Sequence, residues 1–113
     1  MGSHTFQTSI GGKGMTARQA YGELVEEARC QYGSDPYSGT IATTHGFVMV
    51  EQGRRRLDTV IREMLDNENG QVRKWGPAGC IALKGKALRD WRATNGLAGT
   101  RARAFVFFGW AAS

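Results

Sequence analysis

Residues 101–110 read RARAFVFFGW. A stretch this rich in aromatic side chains and free of proline predicts a strand, and the fold turns on what each of its faces meets. Successive side chains of a strand point to opposite sides. Arg101, Arg103, Phe105 and Phe107 therefore share one face, and Ala102, Ala104, Val106, Phe108 and Trp110 the other. The small and apolar set suits burial against helices. The arginine and aromatic set suits an open sheet face, on which single-stranded nucleic acid would stack its bases; cover by a C-terminal hairpin or a dimer partner is the alternative.

Upstream of this strand, TNG and AGT are turn signals, KALRDWR reads as a short helix or an irregular strand, and Gly76-Pro77 marks a turn before a strand near Cys80 to Leu83. From about Arg54 to Asn67, Leu57, Val60, Ile61, Met64 and Leu65 keep the helical period. GTIATT (39–44) and FVMVE (47–51) read as two strands that pair across His45-Gly46 as a hairpin. Thr16 and Gln19 form a capping-box pattern ahead of Ala17, Ala20, Tyr21, Leu24, Val25 and Ala28, which predicts an amphipathic helix to Tyr32 stopped by Gly33. His4 to Ile10 reads as an opening strand ended by GGKG.

The resulting order is strand, helix, strand, strand, helix, strand. It predicts an α+β fold: an antiparallel sheet with two helices on one face, in split βαβ (ferredoxin-like) order, with an extra C-terminal hairpin. At 113 residues, without a repeat, a linker or a low-complexity tract, the chain is expected to form a single domain, 1–113. No apolar run is long enough to span a bilayer and no signal peptide is evident, so a cytoplasmic location is expected. Met1 to His4 resembles a cloning remnant, so no function is placed on His4.

Charge is unevenly distributed. Residues 1–52 hold three basic and five acidic side chains, whereas residues 53–113 hold twelve basic and five acidic ones. Eleven of the fifteen cations are arginines, whose planar fork suits phosphates. Arg54, Arg55 and Arg56 stand at the expected start of a helix, where the macrodipole disfavours cations, and this hints at a use. Together with Arg101, Arg103, Phe105 and Phe107 they form the candidate binding set.

The polar segment DPYSGTIATTHG, Asp35 to Gly46, is the second candidate. It lacks the lysine and the following helix of a phosphate-binding P-loop. It also lacks a nucleophile-elbow pattern, so no catalytic residue is assigned, and a small enzyme with its site between Asp35 and His45 stands only as an alternative. Its hydroxyls make Asp35, Tyr37, Ser38, Thr40, Thr43, Thr44 and His45 a candidate recognition loop. GGKG, leading into a helix, has no other part of a nucleotide motif and reads as a turn. His4 and His45 are the only histidines, and Cys30 and Cys80 lack metal or redox spacing, so neither a metal site nor a cofactor is expected.

Three segments, YGSDPYSGTIATTHGF, KWGPAGCI and FVFFGWAAS, resemble small uncharacterised proteins encoded by bacteriophages. The resemblance implies a phage accessory protein that acts in the host cytoplasm by binding, and it carries over no catalytic residue. The expected function is accordingly non-catalytic binding of a host protein, a ribonucleoprotein or nucleic acid, with direct binding of single-stranded nucleic acid as one alternative and homodimerisation as a further expectation.

Overall fold

The computed structural model describes residues 3–33, 39–67, 70–73 and 76–112. In chain order these form β1 (Ser3–Gly12), α1 (Ala17–Tyr32), a single 3-10 turn (Ile41–Thr43), β2 (Phe47–Met49), α2 (Leu57–Asp66), β3 (Ala78–Ala82), α3 (Gly85–Thr94) and β4 (Arg103–Ala112). The α+β class is as expected, with a four-stranded sheet and three helices.

The sheet order is β1-β4-β3-β2. β4 is antiparallel to both β1 and β3, while β2 and β3 run parallel, so the sheet is mixed where an antiparallel one was expected, and the split βαβ (ferredoxin-like) order is not found. Three further expectations are corrected. GTIATT does not pair with FVMVE: the Thr40 side chain accepts the Ala42 N–H and winds Ile41–Thr43 into a 3-10 turn instead. With no hairpin at that point, β2 lies parallel to β3 and α2 makes the crossover that parallel strands require. KALRDWR becomes α3, which joins β3 to β4 where an extra C-terminal hairpin was expected.

The third correction concerns the faces of the sheet. α1 covers one side, where Ala20, Leu24 and Ala28 pack with Ile41, Cys80, Phe105 and Phe107. α2 and α3 cover the other, where Val60 and Ile61 pack with Ile81, Ala104, Val106 and Phe108. The helices are thus not confined to one face. β3, AGCIA, shows why: it is apolar on both sides, sending Cys80 into one cluster and Ile81 into the other, and such a strand has to be covered twice. Phe105, Phe107 and Phe108 are the largest side chains fully removed from solvent, each worth about 1.5–3 kcal/mol of transfer free energy.

Local chemistry sets the helix ends. The Thr16 hydroxyl accepts the Gln19 N–H at 3.2 Å and the Gln19 carboxamide accepts the Thr16 N–H at 3.0 Å, the reciprocal capping box read in the sequence. Gly33 closes α1 with φ 77° and an N–H bonded to Arg29 O. α2 starts three residues later than the periodicity suggested. Arg54 and Arg55 stay in the turn before it and Arg56 is its N-cap, so Asp58, not an arginine, occupies the first turn where the macrodipole favours an acid.

Both described tryptophans serve the packing. Trp110 Nε1 donates to Leu65 O at 3.0 Å and ties the end of β4 to the end of α2. Trp91 Nε1 donates to Ser9 Oγ at 3.2 Å, and its ring lies so close to β1 that a Cβ at Gly11 would stand 2.7 Å from Trp91 Cη2. Trp75 lies outside the described residues.

Candidate functional site

The structure separates the candidate binding set into two groups. Phe105 and Phe107 are 1% and 0% exposed beneath α1, and Tyr21, Phe47 and Phe107 form an aromatic trio with ring centroids 5.2–5.9 Å apart. These rings are core, not a stacking platform; the sequence pattern alone could not show that α1 crosses to this side of the sheet. Arg101 and Arg103 remain exposed, and the Arg103 guanidinium lies over the Phe105 ring, 5.1 Å from its centroid.

The candidate recognition loop is mostly turned inward. Thr43 and Thr44 are buried. Thr43 Oγ1 donates to Thr40 O at 2.9 Å and accepts the Ala112 N–H at 3.2 Å. Thr44 Oγ1 donates to Ile41 O at 2.6 Å, which commits its one proton, so the Tyr21 hydroxyl 2.7 Å away is the donor in that pair. The Gly46 N–H in turn donates to the Tyr21 oxygen at 3.0 Å. The backbone of His45 and Gly46 bonds to Gly76 and Ala78, and the His45 side chain is exposed. Asp35, Tyr37 and Ser38 lie outside the described residues. Thr43 and Thr44 therefore hold the end of β4 against α1, and their hydroxyls are committed to that task.

The basic residues converge instead at the other end of the sheet. Gly12, the last residue of β1, pairs with Arg103, the first of β4, and the Leu83 N–H just beyond β3 bonds to Ala104 O. The three strand-to-helix junctions therefore leave from one end, and α1, α2 and α3 all start there. Lys84 Nζ donates to Gly53 O at 2.9 Å, fastening the start of α3 to the turn that carries Arg54, Arg55 and Arg56. Lys13, Arg18, Lys84, Lys86, Arg101 and Arg103 belong to the same end, and all of these cations are exposed. Among the described residues four acids lie at or near this end: Asp58 Oδ1 lies 3.4 Å from Arg56 Nε, Glu63 reaches Arg55 at 2.6 Å from the next turns of α2, Asp90 shares a groove with Arg56 and Lys86, and Glu51 is exposed just after β2. Neither α1 nor α3 carries an acid in its first turn.

Grooves open on the α2 and α3 side among the described residues. One of about 580 Å³ runs between the first turns of these helices, lined by Gln7, Gln52, Arg56, Leu57, Asp58, Lys86, Ala87 and Asp90. Another, about 480 Å³, continues from the shared Gln7 and Asp58 along α2 past Arg62 and Asp66 to Trp110. Their walls mix cations, carboxylates and amides. A smaller cleft of about 240 Å³ between α1 and β1 is largely apolar, with Phe6, Leu24, Ala28 and Ile41 in its walls.

Lys13, Arg18, Lys84 and Lys86 were not singled out in the sequence. Their signal was present, since GGKG, GRRR, LKGK and GTRAR put a cation at each strand-to-helix junction and at the approach to β4; it becomes readable only when the strand directions are known. Among the described residues no group of three or more His, Cys, Asp or Glu side chains lies close enough to hold a metal ion, and no helix is long and apolar enough to cross a membrane. Comparison of the chain with family models, curated proteins and solved structures finds no match.

Proposed function

We propose that this chain is a non-catalytic nucleic-acid-binding module that grips the phosphate backbone with the basic end of its sheet. One observation carries the reading: three helix N-termini and nine exposed cations from four chain segments share that end, against Glu51, Asp58, Glu63 and Asp90 among the described residues. Each N-terminus adds partial positive charge of its own, and a cation beside it costs about 0.3–1 kcal/mol. A polyanion relieves that concentration of charge, and arginine-rich recognition suits phosphates. With Phe105 and Phe107 in the core, contact through phosphates predicts little dependence on base sequence and little preference between single strands and duplexes. The resemblance to small phage-encoded proteins supports an accessory role in a host cytoplasm.

Fluorescence anisotropy with labelled single-stranded and duplex DNA and RNA tests this across a salt series. Binding is expected to weaken steeply with salt, with a slope of log affinity on log salt of about −3 to −5, the signature of several phosphate contacts. The triple variant Arg54→Glu, Arg55→Glu, Arg56→Glu is expected to lose at least about 100-fold in affinity. Absence of binding to all four ligands at low salt, or binding that salt leaves unchanged, overturns the proposal.

A further inference from the structure

The two edges of the sheet are built differently. β2 exposes three residues, Phe47–Met49, a length too short to template another strand. β1 exposes ten, Ser3–Gly12, and they include no lysine, arginine, aspartate, glutamate or proline. Its register with β4 is unbroken from Ser3↔Ala112 to Gly12↔Arg103, so no bulge twists this edge away. Charges, prolines, bulges and brevity are the usual means of keeping an edge single. β1 has none of them.

The hydrogen-bond register shows which groups the edge offers. Leu83 N–H bonds to Ala104 O, so the even-numbered residues of β4 turn their backbone groups toward β3 and the odd-numbered ones toward β1. By the β1–β4 register, Phe6, Thr8 and Ile10 then bond to β4, and Thr5, Gln7 and Ser9 turn their N–H and C=O groups outward. The side chains of Thr5, Gln7 and Ser9 are exposed as well.

We infer that this edge pairs with the same edge of a second copy, antiparallel about a two-fold axis at Gln7, so that two four-stranded sheets join into one of eight. The pattern matches itself in that register. Gln7 faces the partner's Gln7, Thr5 faces the partner's Ser9, and Phe6 faces the partner's Thr8, so each outward N–H and C=O from Thr5 to Ser9 meets its complement. Charge selects the same seam. The chain carries a formal net charge of +5, so copies repel, and β1 is a ten-residue edge along which two copies meet without setting cation against cation. The antiparallel arrangement sends the two basic ends to opposite ends of the joined sheet, which makes the dimer bivalent.

Sedimentation velocity over a wide concentration range, away from nucleic acid, tests the pairing. The wild-type chain is expected to dimerise, and the amides of Thr5, Gln7 and Ser9 to exchange more slowly as concentration rises. Gln7→Lys sets two ammonium groups face to face on the axis, and Gln7→Pro removes an outward N–H that the monomer does not use, a substitution that edge strands tolerate. Each is expected to raise the dimer dissociation constant at least about tenfold while circular dichroism stays that of the wild type. If Gln7→Pro perturbs the fold, Gln7→Lys and the wild-type exchange rates decide. A chain that stays monomeric at the highest concentration, an edge protected only by some other peptide, or a dimer whose dissociation constant Gln7→Lys leaves unchanged overturns the inference.

Discussion

The two ends of the sheet are both polar in sequence, yet they use polarity in opposite ways. At one end Thr43, Thr44 and Tyr21 bury their hydroxyls and bond them to one another, to the backbone and to the end of β4. At the other end the polar groups are exposed cations, of which Arg55 and Arg56 meet the carboxylates of Glu63 and Asp58 among the described residues. A buried hydroxyl has to find its bond inside the protein, whereas an exposed guanidinium is solvated and stays free to meet an anion. Density of polar residues therefore says little about function until their direction is known. The end that looks rich in recognition groups is built for stability, and the end that looks like ordinary surface charge holds the candidate interface.

Substituting the aromatic residues of β4 breaks this contrast most severely. If Phe107 belonged to an exposed binding face, Phe107→Ala would leave stability nearly unchanged and weaken nucleic-acid binding. Because its ring is 0% exposed in the cluster beneath α1, Phe107→Ala is instead expected to cost about 3–5 kcal/mol of folding stability, as for other buried phenylalanines. Urea titration followed by circular dichroism measures that loss. Affinity, compared under conditions where both proteins are folded, is expected to stay within about twofold of wild type, in contrast to the loss predicted for the arginine triple variant.

A smaller effect is expected at the hydroxyl end. Tyr21→Phe removes the donor to Thr44 and the acceptor for the Gly46 N–H, while Thr44→Val removes the hydroxyl that accepts from Tyr21 and donates to Ile41 O. Each single change is expected to cost about 1–3 kcal/mol, because it strands a partly buried polar group. The two share one bond, so the double variant is expected to be less destabilised than the sum of the singles by about 0.5–1 kcal/mol. Strict additivity in urea titrations would show that the pair acts separately. Neither change is expected to alter the salt dependence of binding.

Much of the fold was legible where structure is local. The capping box at Thr16 and Gln19, the helical periods of α1 and α2 and the β-character of residues 103–110 depend on neighbours in sequence, and all three appear in the structure. What failed depended on competition or on distance. Thr40 to Thr44 has the composition of a strand, yet side-chain capping by Thr40 offers its backbone a turn that satisfies it locally. The alternation along β4 correctly split its residues into two faces, but alternation does not report how many helices exist or which side each takes. The reading of KALRDWR as either helix or strand left the number of helices open, and the side each takes is set by packing at a distance: α1 lies on one face, α2 and α3 on the other. The basic end was half visible for the same reason: Arg54 to Arg56 stand out as a run, while Lys13, Lys84 and Lys86 join them only through the directions of three strands.

The smallest effect expected concerns the two cysteines, which repeat the contrast between buried and exposed on a single residue type. Cys30 is exposed on α1 and Cys80 is buried in β3. Burial disfavours the thiolate and pushes the Cys80 thiol up from 9.0 to about 12. Below pH 9 the thiol is protonated whether the chain is folded or unfolded, and it adds no pH dependence. Above pH 9 the unfolded chain gives up this proton while the folded chain keeps it, so unfolding releases a proton and stability falls as pH rises toward 12. At about pH 9.5 the loss is expected to be somewhat under 1 kcal/mol. Other groups titrate in this range, so the measurement is the difference in slope between the wild-type chain and Cys80→Ala in urea titrations from pH 8 to 10.5. The wild type is expected to decline more steeply, and equal slopes would place the Cys80 thiol in contact with water. Alkylation at pH 8 gives the kinetic counterpart: one equivalent reacts quickly at Cys30, and the second is expected to react only as fast as the sheet opens.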